Sequence, residues 1–342
     1  MIYRSKAPLR IGLAGGGTDV SPYCDQFGGA ILNATLSLHA HATIESTGDN
    51  RITLVSEDQG KEQSFDWATA LPADGELDLL KGVYNRIQKD HPFTMNGLKL
   101  TTFVDAPAGS GLGTSSTLVV AIIGAFAEML KLPFGDYDMA HYAYEIERND
   151  LRLAGGRQDQ YAATFGGFNF MEFYGNDKVI VNPLRIRQDY LSELENNLVL
   201  YFTATTRESA RIITEQQRNV KENNSKSIEA MHQLKEQARM MKEALLIGKL
   251  GEIGEILDYG FRQKKNMAAN ISNSHIENIY EAAMKAGATG GKISGAGGGG
   301  FMIFYCPRNT RYKVIETLNT FGGKINPYQF TQHGLTTWTI QS

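Results

Sequence analysis

The chain has 342 residues, 42% hydrophobic and 21% charged. That composition excludes disorder as its general state, and the length accommodates two domains with full cores. Its 34 Lys and Arg against 37 Asp and Glu leave a net charge of −3, which argues against a nucleic-acid partner.

No apolar run reaches the ~20 residues of a membrane span, so no membrane association is expected. Residues 1–8 carry no signal-peptide core. The two cysteines, Cys24 and Cys306, are too few for a disulfide framework. A cytoplasmic protein with two reduced thiols is expected.

Glycine is in excess: 36 residues, about one in ten against a usual ~7%. The excess gathers in three clusters, at 12–17, 109–113 and 287–300. Each sits beside apolar runs, so each reads as a shaped loop inside a folded chain. An apolar run at 9–14 enters the first cluster. Residues 30–44 alternate as a strand does, and 52–56 read as another. His39 and His41 alternate on the longer one. With no Cys or carboxylate at ligand spacing nearby in sequence, no metal site is expected there.

Leu98–Val104 is a strand that stops at Asp105-Ala106-Pro107. After the second cluster, Thr114-Ser115-Ser116-Thr117 precedes an apolar segment to Leu130, a hydroxyl start signal for a helix. Asp136 opens another helix that carries Glu145 and Glu147, and Gly155-Gly156 breaks it. Leu198–Phe202 is a buried strand. Met231, Leu234, Ala238, Met241 and Leu245 recur at spacings of three and four, one buried helix face. Ile276, Ile279, Tyr280 and Ala283 form a second such face, ending at Gly287. Residues 292–294, Phe301–Tyr305 and Thr336–Ile340 read as strands around one more helix. The pattern predicts two α+β domains, 1–190 and 191–342, without internal repeats.

The second cluster is the sharpest chemical feature: Pro107, Ala108, Gly109, Ser110, Gly111, Leu112, Gly113, Thr114, Ser115 and Ser116. Alternate glycines let backbone N–H groups turn toward an anion. The helix that follows adds free N–H donors and about half a positive charge. A hydroxyl at that point can ligate Mg²⁺. The segment therefore reads as a phosphate cradle. It is not a P-loop, because Gly291-Lys292 is followed by Ile293. Gly295, Gly297 and Gly300 match a dinucleotide fingerprint, but that motif must open a helix, and here a strand follows.

Three segments together resemble the GHMP kinase superfamily. They are residues 6–19, Lys-Ala-Pro-Leu-Arg-Ile-Gly-Leu-Ala-Gly-Gly-Gly-Thr-Asp; the loop at 107–116; and residues 292–301, Lys-Ile-Ser-Gly-Ala-Gly-Gly-Gly-Gly-Phe. The resemblance implies an N-terminal domain like ribosomal protein S5 domain 2 and a ferredoxin-like C-terminal domain, with ATP and substrate between them. Within the superfamily, the Gly-Gly-Gly-Thr-Asp form and the run Gly155-Gly156-Arg157-Gln158-Asp159-Gln160 are similar to the kinases of D-glycero-D-manno-heptose 7-phosphate. Those enzymes phosphorylate the anomeric hydroxyl.

The resemblance also implies residue roles. Ser115 and Glu145 would hold Mg²⁺, with Glu147 as the rival carboxylate. Asp159 would be the general base, and Arg10 its ion-pair partner and charge stabiliser. Asp19 would accept a sugar hydroxyl, with Gly16, Gly17 and Thr18 beside it. Galactokinase-like members carry Gly-Glu-His-Thr-Asp, whereas this chain has Gly15-Gly16-Gly17-Thr18-Asp19. Loss of the Glu removes repulsion toward an anionic sugar, and the glycine N–H groups could form an anion nest. Arg157 is the candidate for the sugar's distal phosphate, and Gly297 for closure over the substrate. Two further readings stay open: another anomeric kinase, such as a fucokinase, or a non-catalytic ATP and sugar sensor.

Overall fold

The computed structural model describes residues 1–205 and 209–341. Its first half runs β1 (Ile2–Ala14), α1 (Tyr23–Phe27), β2 (Gly29–Ser46), β3 (Arg51–Ser56), β4 (Lys61–Asp66), α2 (Asp78–Asp90) and β5 (Leu98–Val104). Then come α3 (Thr114–Leu130), α4 (Asp136–Glu145), a π-helical turn at Ile146–Asp150, α5 (Gln158–Phe165), β6 (Phe168–Phe173) and β7 (Val179–Pro183). The second half runs α6 (Gln188–Asn197), β8 (Leu198–Phe202), α7 (Ser209–Lys221), α8 (Ser225–Ile247), α9 (Ile253–Lys264) and α10 (Ser274–Ala286). It ends with β9 (Gly290–Ile293), β10 (Phe301–Tyr305), α11 (Arg311–Asn319), β11 (Lys324–Ile325) and β12 (Thr336–Ile340).

The first sheet has eight strands. Its main path is β12-β1-β2-β5-β3-β4, and β6 and β7 branch from β2. Strand β2 is long enough to serve two partners. Residues 40–46 pair with β5, and residues 29–34 pair with β6. All pairings are antiparallel except β3 with β5. Helix α3 packs on β1 and β2 and is covered by α2, α4 and α5. It is apolar all round and buried from Thr114 to Phe126 apart from Ser115. A helix hydrophobic on every side must be enclosed, and this enclosure fixes where its N-terminus points.

The second sheet, β11-β8-β10-β9, is wholly antiparallel. Helices α9, α10 and α11 cover it over a separate core of Val199, Phe261, Ile276, Ile279, Ile293 and Phe304. The expected divide near 190 is not clean. Helix α8 lies against β1 and β2 of the first sheet, and β12 returns to the edge of β1. The last strand therefore belongs with the first half rather than with 191–342. No described helix is long and apolar enough to cross a membrane.

The enclosure of α3 is open to a direct test. Ile122→Ala removes a fully buried side chain from a site with neighbours on every side. A loss of about 2–5 kcal/mol in urea unfolding is expected. A loss below about 1 kcal/mol would mean that the site collapses freely.

Candidate active site

Strand β5 delivers the chain to the second glycine cluster, and α3 takes it away. Gly113 caps α3 with φ 78°, a left-handed conformation that glycine adopts without strain, and no side chain caps the helix. The first N–H groups of α3 are thus left for a ligand. They face a cleft of about 630 Å³ lined by Gly109, Gly111, Gly113, Thr114, Ser115 and Ser116. The other loop residues do other work. Leu112 is buried in the core, and Pro107 stays exposed. The Ser110 carbonyl accepts from the Phe301 N–H at 2.8 Å, while the buried Ser110 hydroxyl lacks a partner.

The facing wall is built on Arg10 of β1 and Asp159 of α5. Arg10 is 3% exposed. Its Nε and one terminal nitrogen reach Asp159 Oδ1 at 2.7 and 2.6 Å, and the other terminal nitrogen donates to the Gly111 carbonyl at 2.7 Å. The expected ion pair is formed, and it also touches the phosphate-cradle loop.

Asp19 is buried beside this pair. Its Oδ2 accepts the N–H groups of Arg157 and Gln158 at 2.8 and 3.0 Å, while Oδ1 has no partner. Burial pushes its pKa up, the Gln158 N–H pulls it back, and the charge of Asp159 adds to the rise. Gly156 passes so close that a Cβ there would collide with the Asp19 carboxylate. That contact is a steric reason for the Gly155-Gly156 break. Gly17 lines the cleft beside Asp19, and Gly16 backs onto Lys264. Thr18 turns inward instead. Its hydroxyl lies 2.9 Å from the carbonyls of Gly15 and Ala30 and fastens the turn.

Glu145 is not in the cleft. It is 33% exposed and pairs with Arg86 at 2.8 Å. Glu147 lies in the cleft wall, 2% exposed. The cause is the π-helical turn, closed by Leu151 N–H donating to the Ile146 carbonyl at 2.9 Å. That i→i+5 turn changes the helical register and carries Glu147 inward. Gln160 donates both to Glu147 and to the Ser116 hydroxyl, the latter at 3.2 Å. Burial raises the pKa of Glu147, against the nearby Arg148 charge.

Two more expectations need correction. The Arg157 guanidinium is already committed to Asp25 at 2.9 Å, Asp177 at 3.0 Å and the Tyr174 carbonyl at 2.8 Å, so it is not free for a distal phosphate. Gly297 packs on the Ile271 backbone. The third cluster meets the cleft through Gly295 and Ala296 instead.

A carboxylate does stand by His39 and His41. Asp105, placed by the end of β5, has its Oδ2 3.9 Å from His41 Nε2, and one candidate ligand atom from each residue lies within 4.8 Å of the others. Sequence spacing hid this because Asp105 arrives from a neighbouring strand. Lys264 also lines the cleft, and its spacing is readable in the sequence. Leu257, Phe261 and Lys264 fall at spacings of four and three, so the helical period puts this lysine on the buried face of α9.

The GHMP kinases N terminal domain family matches residues 78–167, and the GHMP kinases C terminal family matches 241–324. A D-glycero-alpha-D-manno-heptose 7-phosphate kinase of Campylobacter jejuni is 49% identical, covering 98% of this chain and 99% of that protein. The crystal structure of a D-glycero-D-manno-heptose 1-phosphate kinase of Bacteroides thetaiotaomicron is similar, with 47% identity and a TM-score of 0.85 over 99% of this chain and all of that one. Lactococcus lactis galactokinase shares the fold, with a TM-score of 0.78, 19% identity, and coverage of 98% of this chain and 95% of that one. With both family matches and a near full-length relative behind this cleft, the chain belongs to the GHMP kinase family of phosphotransferases.

Proposed function

We propose that the protein transfers the γ-phosphoryl group of ATP to the anomeric hydroxyl of D-glycero-D-manno-heptose 7-phosphate, giving the 1,7-bisphosphate. One observation carries the reading. The Arg10–Asp159 pair, the unpartnered oxygen of Asp19 and the uncapped N-terminus of α3 share one cleft. The helix end and the glycine N–H groups suit the ATP phosphates. Asp19 Oδ1 suits a sugar hydroxyl. Asp159 accepts the proton of O1 as O1 bonds to the γ-phosphorus and the bond to the ADP oxygen breaks. Arg10 holds Asp159 in place and offers positive charge to the transferring group. A cytoplasmic location suits an ATP-dependent enzyme with two buried, unbonded thiols.

Glu147, with the hydroxyl of Ser115 or Ser116, fits a Mg²⁺ ion. Glu147 is buried with a raised pKa although Arg148 stands 3.7 Å from its Oε1, so a further cation would be favoured there, and hard oxygen ligands suit this ion. When bound, Mg²⁺ would neutralise phosphate charge.

The Bacteroides structure is named for a heptose 1-phosphate. A sugar already esterified at C1 has no anomeric hydroxyl to present to Asp159. ADP release should therefore be measured with heptose 7-phosphate, heptose 1-phosphate, free heptose and fucose, with phosphorus NMR locating the new ester. Turnover of the 7-phosphate with a new anomeric signal is expected. Turnover of the 1-phosphate or fucose alone would overturn the reading, and no turnover with any sugar would favour the sensor. Asp159→Asn is expected to lower kcat by about 10²–10⁴-fold; unchanged kcat would remove it as the base.

Glu147→Gln is expected to cut kcat at least ~100-fold and to raise the Mg²⁺ requirement. Glu145→Gln should stay within about threefold, since it breaks only a partly exposed pair. Burial raises the pKa of Glu147, so the folded protein holds its proton more tightly than the unfolded chain does. The ionised form therefore costs stability above the native pKa, and the cost disappears as pH falls through it. Glu147→Gln should accordingly raise the ligand-free Tm at pH 8, with a gain that shrinks toward pH 5. Scanning calorimetry checks both signs. A variant less stable than its parent at pH 8 would mean that the attraction of Arg148 outweighs burial.

A further inference from the structure

Lys264 is the only lysine among the described residues that line the cleft. It ends α9 on that helix's buried face, 2% exposed. Its ammonium has three donors. It donates to the Gly295 carbonyl, and no carboxylate among the described residues forms an ion pair with it. Burial lowers its pKa to about 8, Arg10 pushes the same way, and the charge of Asp19 opposes them. A strained, under-partnered cation in a substrate cleft is a binding group for an anion.

Its position tells which anion. Arg10 and Asp159 mark the reacting hydroxyl, and the chain runs from there along β1 and into the turn that ends at Asp19. Lys292 fills the space at Gly12, donating to that residue's carbonyl at 2.6 Å. Lys264 lies further on, at Gly16, where a Cβ would stand 3.5 Å from its Nζ. The wall continues through Gly17, where a Cβ would stand 2.5 Å from the buried Met267 Cε and 3.5 Å from the buried Gln216 Oε1. Lys264 thus sits toward the Asp19 end of the sugar space. It is also beside the glycines that stand where galactokinase-like chains carry Glu and His.

We infer that Lys264 anchors the phosphate monoester that the sugar already carries, on the side of the sugar away from the reacting hydroxyl. The inference rests on the phosphorylated-sugar reading above. A dianionic phosphate supplies the countercharge that no ion pair among the described residues gives Lys264. Lys264 must be protonated to act, so affinity for the phosphorylated sugar falls as pH rises through its free-enzyme pKa of about 8. The charged groups facing it are Arg10 from β1, Asp19 from the following turn, Asp159 from α5 and Lys292 from β9. All four are unchanged in Lys264→Arg, whose side chain does not titrate in this range.

The experiment measures KM and kcat for heptose 7-phosphate and free heptose from pH 6.5 to 9.5, in the wild-type enzyme, Lys264→Met and Lys264→Arg. Wild type is expected to prefer the 7-phosphate, with KM rising about tenfold per pH unit above pH 8. Lys264→Met should raise KM for the 7-phosphate by roughly 100-fold and raise KM for free heptose far less. Lys264→Arg should recover most of the affinity and lose the alkaline rise. Equal losses for the two sugars in Lys264→Met, or an alkaline rise that persists in Lys264→Arg, would overturn the assignment. If Lys264→Met does not fold, the wild-type and Lys264→Arg pH profiles decide. A wild-type enzyme that does not prefer the phosphorylated sugar overturns the substrate reading itself, before any variant is compared.

Discussion

A single buried guanidinium ties three parts of the cleft together. Arg10 leaves β1, grips Asp159 of α5 with two nitrogens, and spends a third on the Gly111 carbonyl. A buried charge of this kind is tolerated only with a near-complete set of partners. The set therefore constrains the chain. Asp159 must sit at the start of α5, so the break at Gly155-Gly156 must bring the backbone hard against Asp19. Gly111 must present its carbonyl rather than its N–H, which fixes the sense of the loop before α3. Asp159, Asp19 and the second glycine loop are thereby held in one register, the pre-organisation that the proposed roles of base, sugar acceptor and phosphate cradle would need.

The same cleft is electrostatically incomplete. Asp19 and Glu147 are buried with raised pKa values, and Lys264 and Lys292 are buried with lowered ones. In all four, burial is the largest cause. Among the described residues none of the four forms an ion pair with another of the four, and only Glu147 has a countercharge within 4 Å, Arg148 at 3.7 Å. Such an arrangement costs stability in the free protein and gives it back as binding energy when polar ligands fill the space. On the proposed reading Asp19 would meet a hydroxyl, Glu147 a cation and Lys264 an anion. This division suits a reaction that joins a polyanionic nucleotide to an anionic sugar.

Much of this was legible in sequence where the signal is local. Alternate glycines ahead of hydroxyls marked a loop that does line the cleft, and the apolar segment to Leu130 is a helix, although it begins at Thr114 with Gly113 and not a hydroxyl as its cap. The stripe at Met231, Leu234, Ala238, Met241 and Leu245 is buried along α8. The misassignments share a cause, for each depends on what a distant segment brings. Glu145 and Glu147 cannot be ranked by a 3.6-residue period when the helix passes into a π-turn between them. Arg157 reads as a free cation until Asp25 and Asp177 arrive. Thr18 reads as a ligand until Gly15 and Ala30 take its hydroxyl. Asp105 joins His39 and His41 only because β5 lies beside β2. Lys264 is the exception. Its place on the apolar face of α9 was available from its spacing with Leu257 and Phe261.

The glycine excess acquires a second meaning from the seam between the two sheets. The phosphate cradle and the third cluster meet backbone to backbone: a Cβ on Gly295 would stand 2.7 Å from the Gly111 Cα. The Ser110 carbonyl accepts from Phe301 N–H, the first residue of β10, and the Ser294 hydroxyl donates to the Gly111 carbonyl at 2.9 Å. Gly111 O is also a partner of Arg10. One carbonyl thus joins the second sheet, the cradle and the catalytic pair. Side chains at these positions would push the sheets apart and break that junction. The glycines therefore serve two ends at once, with N–H groups turned toward phosphate and a seam tight enough that cradle and third cluster must move as one body.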